Sequence, residues 1–312
     1  MGDHHHRALS EFIKSLAGEV IQWSTRDQYL QPMARTSDHM FGQVAVITGG
    51  ANGIGAEVAR QLSLRGASVA VLDRDAARAD ALAAELGNGV AGFAADVTDP
   101  ESIAAAMDAV VQRFGGIDIV LANVGIAGPI ATVASVRPQE WQQVIDVNLI
   151  GVFHTVRIAI PHVRARRGYV MVVASAAAGL PGPTFSAYMA AKWGVEALAR
   201  ALRIELSESR VGVGIAYFGL IDTELGNSIA RNHGLGAIMS SLPDFVGKAA
   251  PVTAAGTAIV DGIARRSRRV YAPRWVPLLL DLRTAVYHLD GLLGRNRRLR
   301  KAIREADAQV AA

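Results

Sequence analysis

One segment limits the fold more than any other. An apolar run, Val44–Thr48, leads into Gly49-Gly50-Ala51-Asn52-Gly53-Ile54-Gly55 and then into a helical pattern reaching about Leu64. Glycine tolerates positive φ, so the backbone there can turn sharply and approach a neighbour closely. A strand, a glycine turn and a helix in that order form the first unit of a parallel sheet. The pattern recurs down the chain. Ser68–Leu72, Val90–Ala94, Ile117–Ala122, Tyr169–Ala174 and Val211–Phe218 read as strands. Ala76–Leu86, Glu101–Phe114, Trp141–Val163 and Ser186–Ser207 read as helices between or after them. The strands are apolar throughout rather than alternating, as expected where helices cover both faces of a sheet. The fold class is therefore α/β, with a doubly wound, mostly parallel sheet.

The chain divides into residues 1–40, a helical N-terminal extension; 41–270, the βα-repeating body; and 271–312, a basic amphipathic helical C-terminal extension. Leu9, Phe12, Ile13, Leu16, Val20 and Trp23 share one helical face in the first part. Leu278, Leu282, Val286, Leu289 and Leu293 do so in the last, behind Pro273 and Pro277. Apolar faces of this kind need cover from the body, a second subunit or a membrane surface. Cover by protein is the plainer expectation. With 51% hydrophobic residues the body has ample material for a core.

There is no cysteine, which excludes disulfides, thiol nucleophiles and cysteine metal sites. No metal site is expected elsewhere either, because His4, His5 and His6 are too few to read as one. The formal charge is only +4 but is unevenly spread. Arg265, Arg266, Arg268, Arg269, Arg274, Arg283, Arg295, Arg297, Arg298, Arg300, Lys301 and Arg304 crowd the C-terminal end, where only Asp281 and Asp290 oppose them. A solvated helix face is the ordinary meaning of such a run, and an anionic membrane surface is the alternative. No nucleic-acid partner is expected. No uninterrupted apolar run of about 18 residues occurs, so no transmembrane helix is expected. With no secretory pattern at the N-terminus either, the expected location is cytoplasmic, with peripheral membrane contact through the termini left open.

The glycine turn also has a chemistry. The helix behind it offers free N–H groups and a positive dipole end, which together suit a pyrophosphate. Gly49, Ala51, Asn52, Gly53, Ile54 and Gly55 are the candidate contacts. Asp73 ends the second strand about 20 residues on, where a carboxylate accepts hydrogen bonds from an adenosine ribose and repels a 2′-phosphate. That favours NAD over NADP, as does Asn52 in place of a basic residue before Gly53. Arg74 pulls the other way, since an arginine can pair with the phosphate.

Tyr188 and Lys192 stand four apart on a helical pattern and so share a face. A phenol is a poor base at neutral pH, and a nearby ammonium is expected to lower its pKa. Ser175 follows the fifth strand, where doubly wound folds gather their ligands. Asn148 is a polar residue within the apolar Val147-Asn148-Leu149-Ile150-Gly151 stretch of a long helix and needs a partner or a task.

Taken in order, the Gly49–Gly55 turn, Asp73, Asp96-Val97, Ala122-Asn123-Val124-Gly125, Asn148, Ser175 and Tyr188-x-x-x-Lys192 resemble the short-chain dehydrogenase/reductase family over about residues 41–225. The resemblance implies a Rossmann-type fold, NAD(P)-linked interconversion of an alcohol and a ketone, and assembly as a homodimer or homotetramer. It implies that Tyr188 exchanges the substrate proton, Lys192 assists it and holds the nicotinamide ribose, Ser175 polarises the carbonyl and Asn148 supports a proton relay. It further implies that Asp96 and Val97 contact adenine, Asn123 and Gly125 line the cofactor cleft, and Ile221 and Thr223 lie on the nicotinamide side. Phe218 departs from the family's usual proline, and Val124 from its usual alanine.

Positions 220–250 should form the substrate-side loop. Leu225, Ile229, Leu235, Ile238, Met239, Leu242, Phe245 and Val246 make it apolar, which suits a steroid-, terpenoid- or lipid-like secondary alcohol. Two alternatives stand beside an NAD-dependent dehydrogenase: an NADPH-dependent carbonyl reductase on the same scaffold, and a non-catalytic cofactor-binding or membrane-associated scaffold.

Overall fold

The first strand is fully apolar and fully buried: Val44–Thr48 forms β1 at the middle of a seven-stranded sheet. The computed structural model describes residues 40–87, 89–230, 247–288 and 290–311. The N-terminal apolar stripe, Leu289, and the lid candidates Leu235, Ile238, Met239, Leu242, Phe245 and Val246 lie outside the described residues. The other strands are β2 (Ser68–Asp73), β3 (Val90–Ala94), β4 (Ile119–Ala122), β5 (Tyr169–Val173), β6 (Gly212–Phe218) and β7 (Arg269–Ala272), in the order β3-β2-β1-β4-β5-β6-β7. All pairings are parallel, with Val46 opposite Ala70 on one side and Val120 on the other. The order reverses at β1 and β4, and in a doubly wound sheet that reversal opens a crevice beyond the strands' carboxyl ends.

The helices begin where the sequence supplies caps. Asn52 accepts from the Gly53 N–H at 2.6 Å and starts α1 (Gly53–Leu64). Asp75 caps α2 (Ala76–Leu86) through the Arg78 N–H, and Asp99 caps α3 (Pro100–Phe114), whose first residue is proline. Each such cap satisfies an amide that the helix leaves without a partner. Then come α4 (Pro138–Ile145), a π-turn (Asp146–Ile150), α5 (Gly151–Arg166), α6 (Ser186–Glu205), α7 (Glu224–Ala230) and α8 (Val252–Ala264).

Two cores result, one on each face of the sheet. Val46, Val120 and Val170 face Ile103 and Met107 of α3, Val152 and Val156 of α5, and Val195 of α6. Ala45, Ile47 and Leu121 face Val58 and Leu62 of α1 and Ile259 and Ile263 of α8. The run Pro138–Arg166 is long and apolar enough to cross a bilayer by composition. Its Val144, Asn148, Val152, Val156, Ala159 and Val163 are nevertheless buried within the fold, as befits a core helix.

β7 is absent from the pattern of strands expected from sequence. Its four residues open with Arg269, exposed at the sheet edge, so the apolar run is too short to register. Its register comes from the neighbouring strand, where Tyr217 stacks on Tyr271 with ring centroids 5.7 Å apart.

The C-terminal stripe is not carried by one continuous helix. The segment breaks into α9 (Val276–Asp281), α10 (Arg283–Tyr287), α11 (Asp290–Leu293) and α12 (Arg297–Ala311). Val276 and Leu280, four apart, are buried, whereas Leu278 is 65% and Leu282 51% exposed. A charge pins this segment to the body. Arg283 Nη1 donates to both oxygens of Glu196 on α6, at 3.0 and 2.8 Å, and the Glu196 side chain is only 5% exposed.

Removing the cation would leave the buried carboxylate with only the more exposed Arg200, 3.6 Å away. Arg283→Met should cost about 2 kcal/mol, below the range for a fully buried pair because part of the arginine reaches water. The pair Glu196→Leu with Arg283→Met should recover most of that loss. Urea unfolding of wild type and the two variants measures both. Equal stability of wild type and the single variant would show that the pair does not hold the segment.

Candidate active site

At the crevice predicted by the strand order lies a cleft of about 1070 Å³, with Asp73 and Arg74 among its lining residues at one end and Ser175, Tyr188 and Lys192 at the other. The glycine turn forms its floor. Gly53 sits at φ +53°, in the left-handed region. A Cβ on Gly55 would overlap the Gly49 carbonyl oxygen and approach Asn123 Nδ2 to 2.8 Å, so only hydrogen fits there. The first turn of α1 carries no acidic residue to compete for its free N–H groups, and the turn therefore fits an anionic diphosphate.

Several side chains hold this floor in shape. Asn123 Nδ2 donates to the carbonyls of Thr48 (3.3 Å) and Gly49 (3.0 Å). Asp73 accepts from the Ala51 N–H at 3.2 Å and the Asp75 N–H at 3.1 Å. A carboxylate oxygen accepts more than one hydrogen bond, so capacity for ribose hydroxyls remains. Asp96 accepts from the Thr98 hydroxyl and N–H at 2.7 and 2.8 Å, and these bonds hold its carboxyl below the ordinary range. Val97 lies beside it, mostly buried against α5. On the opposite wall Thr223 caps the start of α7 by accepting from the Gly226 N–H at 3.1 Å. Ile221 is buried just before it.

The other end gathers the titratable groups. Ser175 Oγ accepts from the Ala177 N–H at 3.1 Å and donates to the Phe218 carbonyl at 3.3 Å. Phe218 thus fills the place of the family's usual proline with a buried ring and a carbonyl that orients Ser175. Lys192 Nζ donates to the Val173 carbonyl at 2.9 Å and lies 5.6 Å from the Tyr188 ring centroid. Phe185 stacks on Tyr188 with centroids 4.6 Å apart. Burial pushes the Tyr188 phenol up, partly offset by its hydrogen bond with Ser175. Burial also pulls Lys192 down to about 8. The expected lowering of the phenol by Lys192 is therefore outweighed here: both groups are desolvated, and the ammonium is committed to the Val173 carbonyl.

Asn148 is fully buried, and both of its polar atoms are used. Its Oδ1 accepts from the Ile126 N–H and its Nδ2 donates to the Ile126 carbonyl, each at 2.8 Å. It sits in the π-turn, the kind of helix bulge often found near functional sites.

Of the residues singled out from sequence, Gly49, Asn52, Gly53, Ile54, Asp73, Arg74, Asp96, Val97, Asn123, Gly125, Ser175, Tyr188, Lys192, Ile221 and Thr223 line this one cleft. Ala51, Gly55 and Asn148 stand behind the wall and shape it. Leu225 and Ile229 of the apolar loop line it as well. Sequence reading missed Gln139 and Gln143 of α4, the Leu180–Pro183 turn, Met189 and Trp275. Met189 lies one residue from Tyr188, a signal that was available. Trp275 reaches the cleft from the C-terminal segment, its ring 3.1 Å from where a Cβ on Gly219 would stand. Glu224, also missed, accepts from Asn52 Nδ2 at 2.7 Å and so ties the glycine turn to the opposite wall.

Comparison with known proteins gives the same outline. The family model described as short chain dehydrogenase matches residues 43–234. A (-)-trans-carveol dehydrogenase of Rhodococcus erythropolis is 38% identical over 221 residues, covering 65% of this chain and 78% of that protein. A D-threitol dehydrogenase of Mycolicibacterium smegmatis is 36% identical over 190 residues, covering 60% and 73%. Among solved structures, a 3-ketoacyl-(acyl-carrier-protein) reductase from Brucella melitensis complexed with NADH superimposes with a TM-score of 0.68 at 28% identity, covering 74% of this chain and 97% of that one.

Proposed function

Because the chain belongs to the short-chain dehydrogenase/reductase family, whose members act on CH–OH groups with NAD(P), we propose that it interconverts a hydrophobic secondary alcohol and its ketone with NAD(H). One observation carries this reading: Tyr188, Ser175 and Lys192 converge at one end of a cleft whose other end is the glycine turn and Asp73.

When bound, NAD(P) supplies the nicotinamide carbon that takes or gives the hydride. The chain's own residues do the rest. The N–H groups at the start of α1 would receive the pyrophosphate, Asp96 and Val97 would hold the adenine, and Ile221 and Thr223 would hold the nicotinamide side. The Asp73 carboxylate accepts from the adenosine ribose and disfavours a 2′-phosphate. Ser175 donates to the substrate oxygen and aligns it, and Tyr188 takes the proton from the alcohol or gives it to the ketone. Lys192 keeps a positive charge beside the phenol and bonds the nicotinamide ribose. Asn148 holds the backbone of Ile126 in place and supports the proton's path to solvent. Arg74 lines the same cleft end as Asp73 and favours a second reading, an NADPH-dependent carbonyl reductase.

Carveol and threitol dehydrogenases both occur among the relatives, so their names leave the substrate to be argued from the cleft. Its substrate end is lined by Ile126, Leu180, Phe185, Met189, Leu225 and Ile229. That lining supports a steroid-, terpenoid- or lipid-like alcohol over a sugar. Self-association as a dimer or tetramer also belongs to this reading. Ile150, Phe153 and Ile204 on α5, α6 and the adjoining π-turn stand exposed and would be covered by a partner copy. Light scattering tests this, and a monomer at working concentration would count against it.

A screen of apolar secondary alcohols with NAD and NADP, followed by absorbance of the reduced cofactor, tests the reaction and the cofactor together. NAD should give the higher kcat/KM, and a clear preference for NADP would shift the assignment to the second reading. Tyr188→Phe should lower kcat by about 10²–10⁴ while leaving NADH binding intact. Since burial keeps the phenol protonated, oxidation, which needs a proton acceptor, should accelerate from about pH 7 to 10, whereas reduction should hold over that span. An oxidation rate flat over that span would remove Tyr188 from the proton transfer.

A further inference from the structure

The loop between β4 and α4 forms the cleft wall next to Tyr188. Ile126 and Ala127 line the cleft, and Ile130 packs into the apolar cluster that contains Phe185 and Tyr188. This loop has no ladder of its own and is fixed at separate points. Asn148 holds its start through Ile126. In its middle the Ala131 N–H donates to the Thr184 carbonyl at 3.0 Å, which joins it to the facing wall. Its far end is a turn, where the Val136 N–H donates to the Thr132 carbonyl at 2.9 Å and the Thr132 N–H to Ser135 Oγ at 3.1 Å.

That turn meets the C-terminal helix. Ala302 and Ala306 of α12, four apart on one face, are 1% and 2% exposed, so the helix is seated on the body by small residues. Asp307 follows them. Its Oδ1 accepts from the Thr132 hydroxyl and from the Ser135 hydroxyl, each at 2.6 Å. Hydroxyl-to-carboxylate bonds of this length are charge-assisted and roughly twice as strong as neutral ones. The bonds hold the Asp307 carboxyl below its ordinary range, so it is ionised under working conditions.

We propose that Asp307 is a positioning residue: through Thr132 and Ser135 it fixes the loop that carries Ile126 and Ile130, and so lets the C-terminal helix set how well the substrate, rather than the dinucleotide, is held. The assignment rests on the functional reading above. It places the C-terminal segment on the substrate side, because Asp307 touches the turn beyond Ile130, while the glycine turn, Asp73 and Asp96 have no contact with α12 among the bonds described.

Three variants of the full chain test it. Asp307→Ala removes the acceptor, Thr132→Val with Ser135→Ala removes both donors, and Asp307→Asn keeps a neutral acceptor. Backbone hydrogen exchange of residues 126–136 and steady-state kinetics with NAD and the best apolar alcohol are measured for each. Asp307→Ala and the double variant should speed exchange in 126–136 and raise KM for the alcohol about tenfold. KM for NAD and kcat should stay within about twofold, with Asp307→Asn intermediate. Unchanged exchange overturns the proposal. Faster exchange with an unchanged alcohol KM, or with an equal rise in both KM values, overturns the positioning role. A wild-type chain that turns over no secondary alcohol sinks the functional reading instead, and the exchange measurement then decides alone whether Asp307 holds the loop.

Discussion

The cleft depends on how two strands part. β1 and β4 are paired up to Thr48 and Ala122, and beyond that point their chains leave to opposite faces of the sheet. Two neighbouring strands whose connections diverge leave backbone groups at the gap without ladder partners, and such groups need bonding when buried. Asn123 supplies it. Its amide donates across the gap to the Thr48 and Gly49 carbonyls, while its own N–H lies 3.3 Å from Thr48 Oγ1. This tie sets where the glycine turn begins, and the close fit of Gly55 against Gly49 and Asn123 then sets where α1 can start. The anion-accepting end of the helix thus inherits its position from one amide side chain at the switch of strand order.

At the other end of the cleft the governing quantity is dehydration. Lys192 is 3% exposed and Tyr188 9%, and both are driven toward their neutral forms. Neutral groups are cheaper to bury, so this arrangement favours a phenol that keeps its proton. Ser175 is less buried, caps a short turn and bonds the Phe218 carbonyl, so backbone groups orient a hydroxyl that also bonds the Tyr188 phenol. Under the proposed function the site would separate two tasks: orientation, set by β5 and β6 through Ser175, and proton holding, set by the buried face of α6.

The parts of this design that were legible in the sequence are local ones. Strands buried on both faces are written as unbroken apolar runs, which is why β1, β2 and β5 can be placed within a residue or so. Tyr188 and Lys192 are read from a four-residue spacing, and the glycine turn from a seven-residue one. What escaped was settled by distant contacts. β7 is a strand because β6 gives it a partner, and its own residues, beginning at Arg269, do not announce one. Asn148 reads in sequence as needing a partner or a task, and its partner is the Ile126 backbone, 22 positions away, which no local pattern reports. The balance at Tyr188 depends on burial, which a spacing cannot report.

The C-terminal segment shows the same limit and carries a further consequence. From sequence it is a basic stretch with an apolar stripe. In the fold its contacts with the body include three of different chemistry: Arg283 on Glu196 of the helix that bears Tyr188, Trp275 on Gly219 beside the cleft, and Asp307 on Thr132 and Ser135. Each of these lies toward β5, β6 or the loop after β4, and none involves the glycine turn or β2. A chain extension added on one side of a cleft can alter the wall it touches without disturbing the opposite one. The end at the glycine turn is then left untouched, while the end at Tyr188 takes part of its shape from the C-terminal segment.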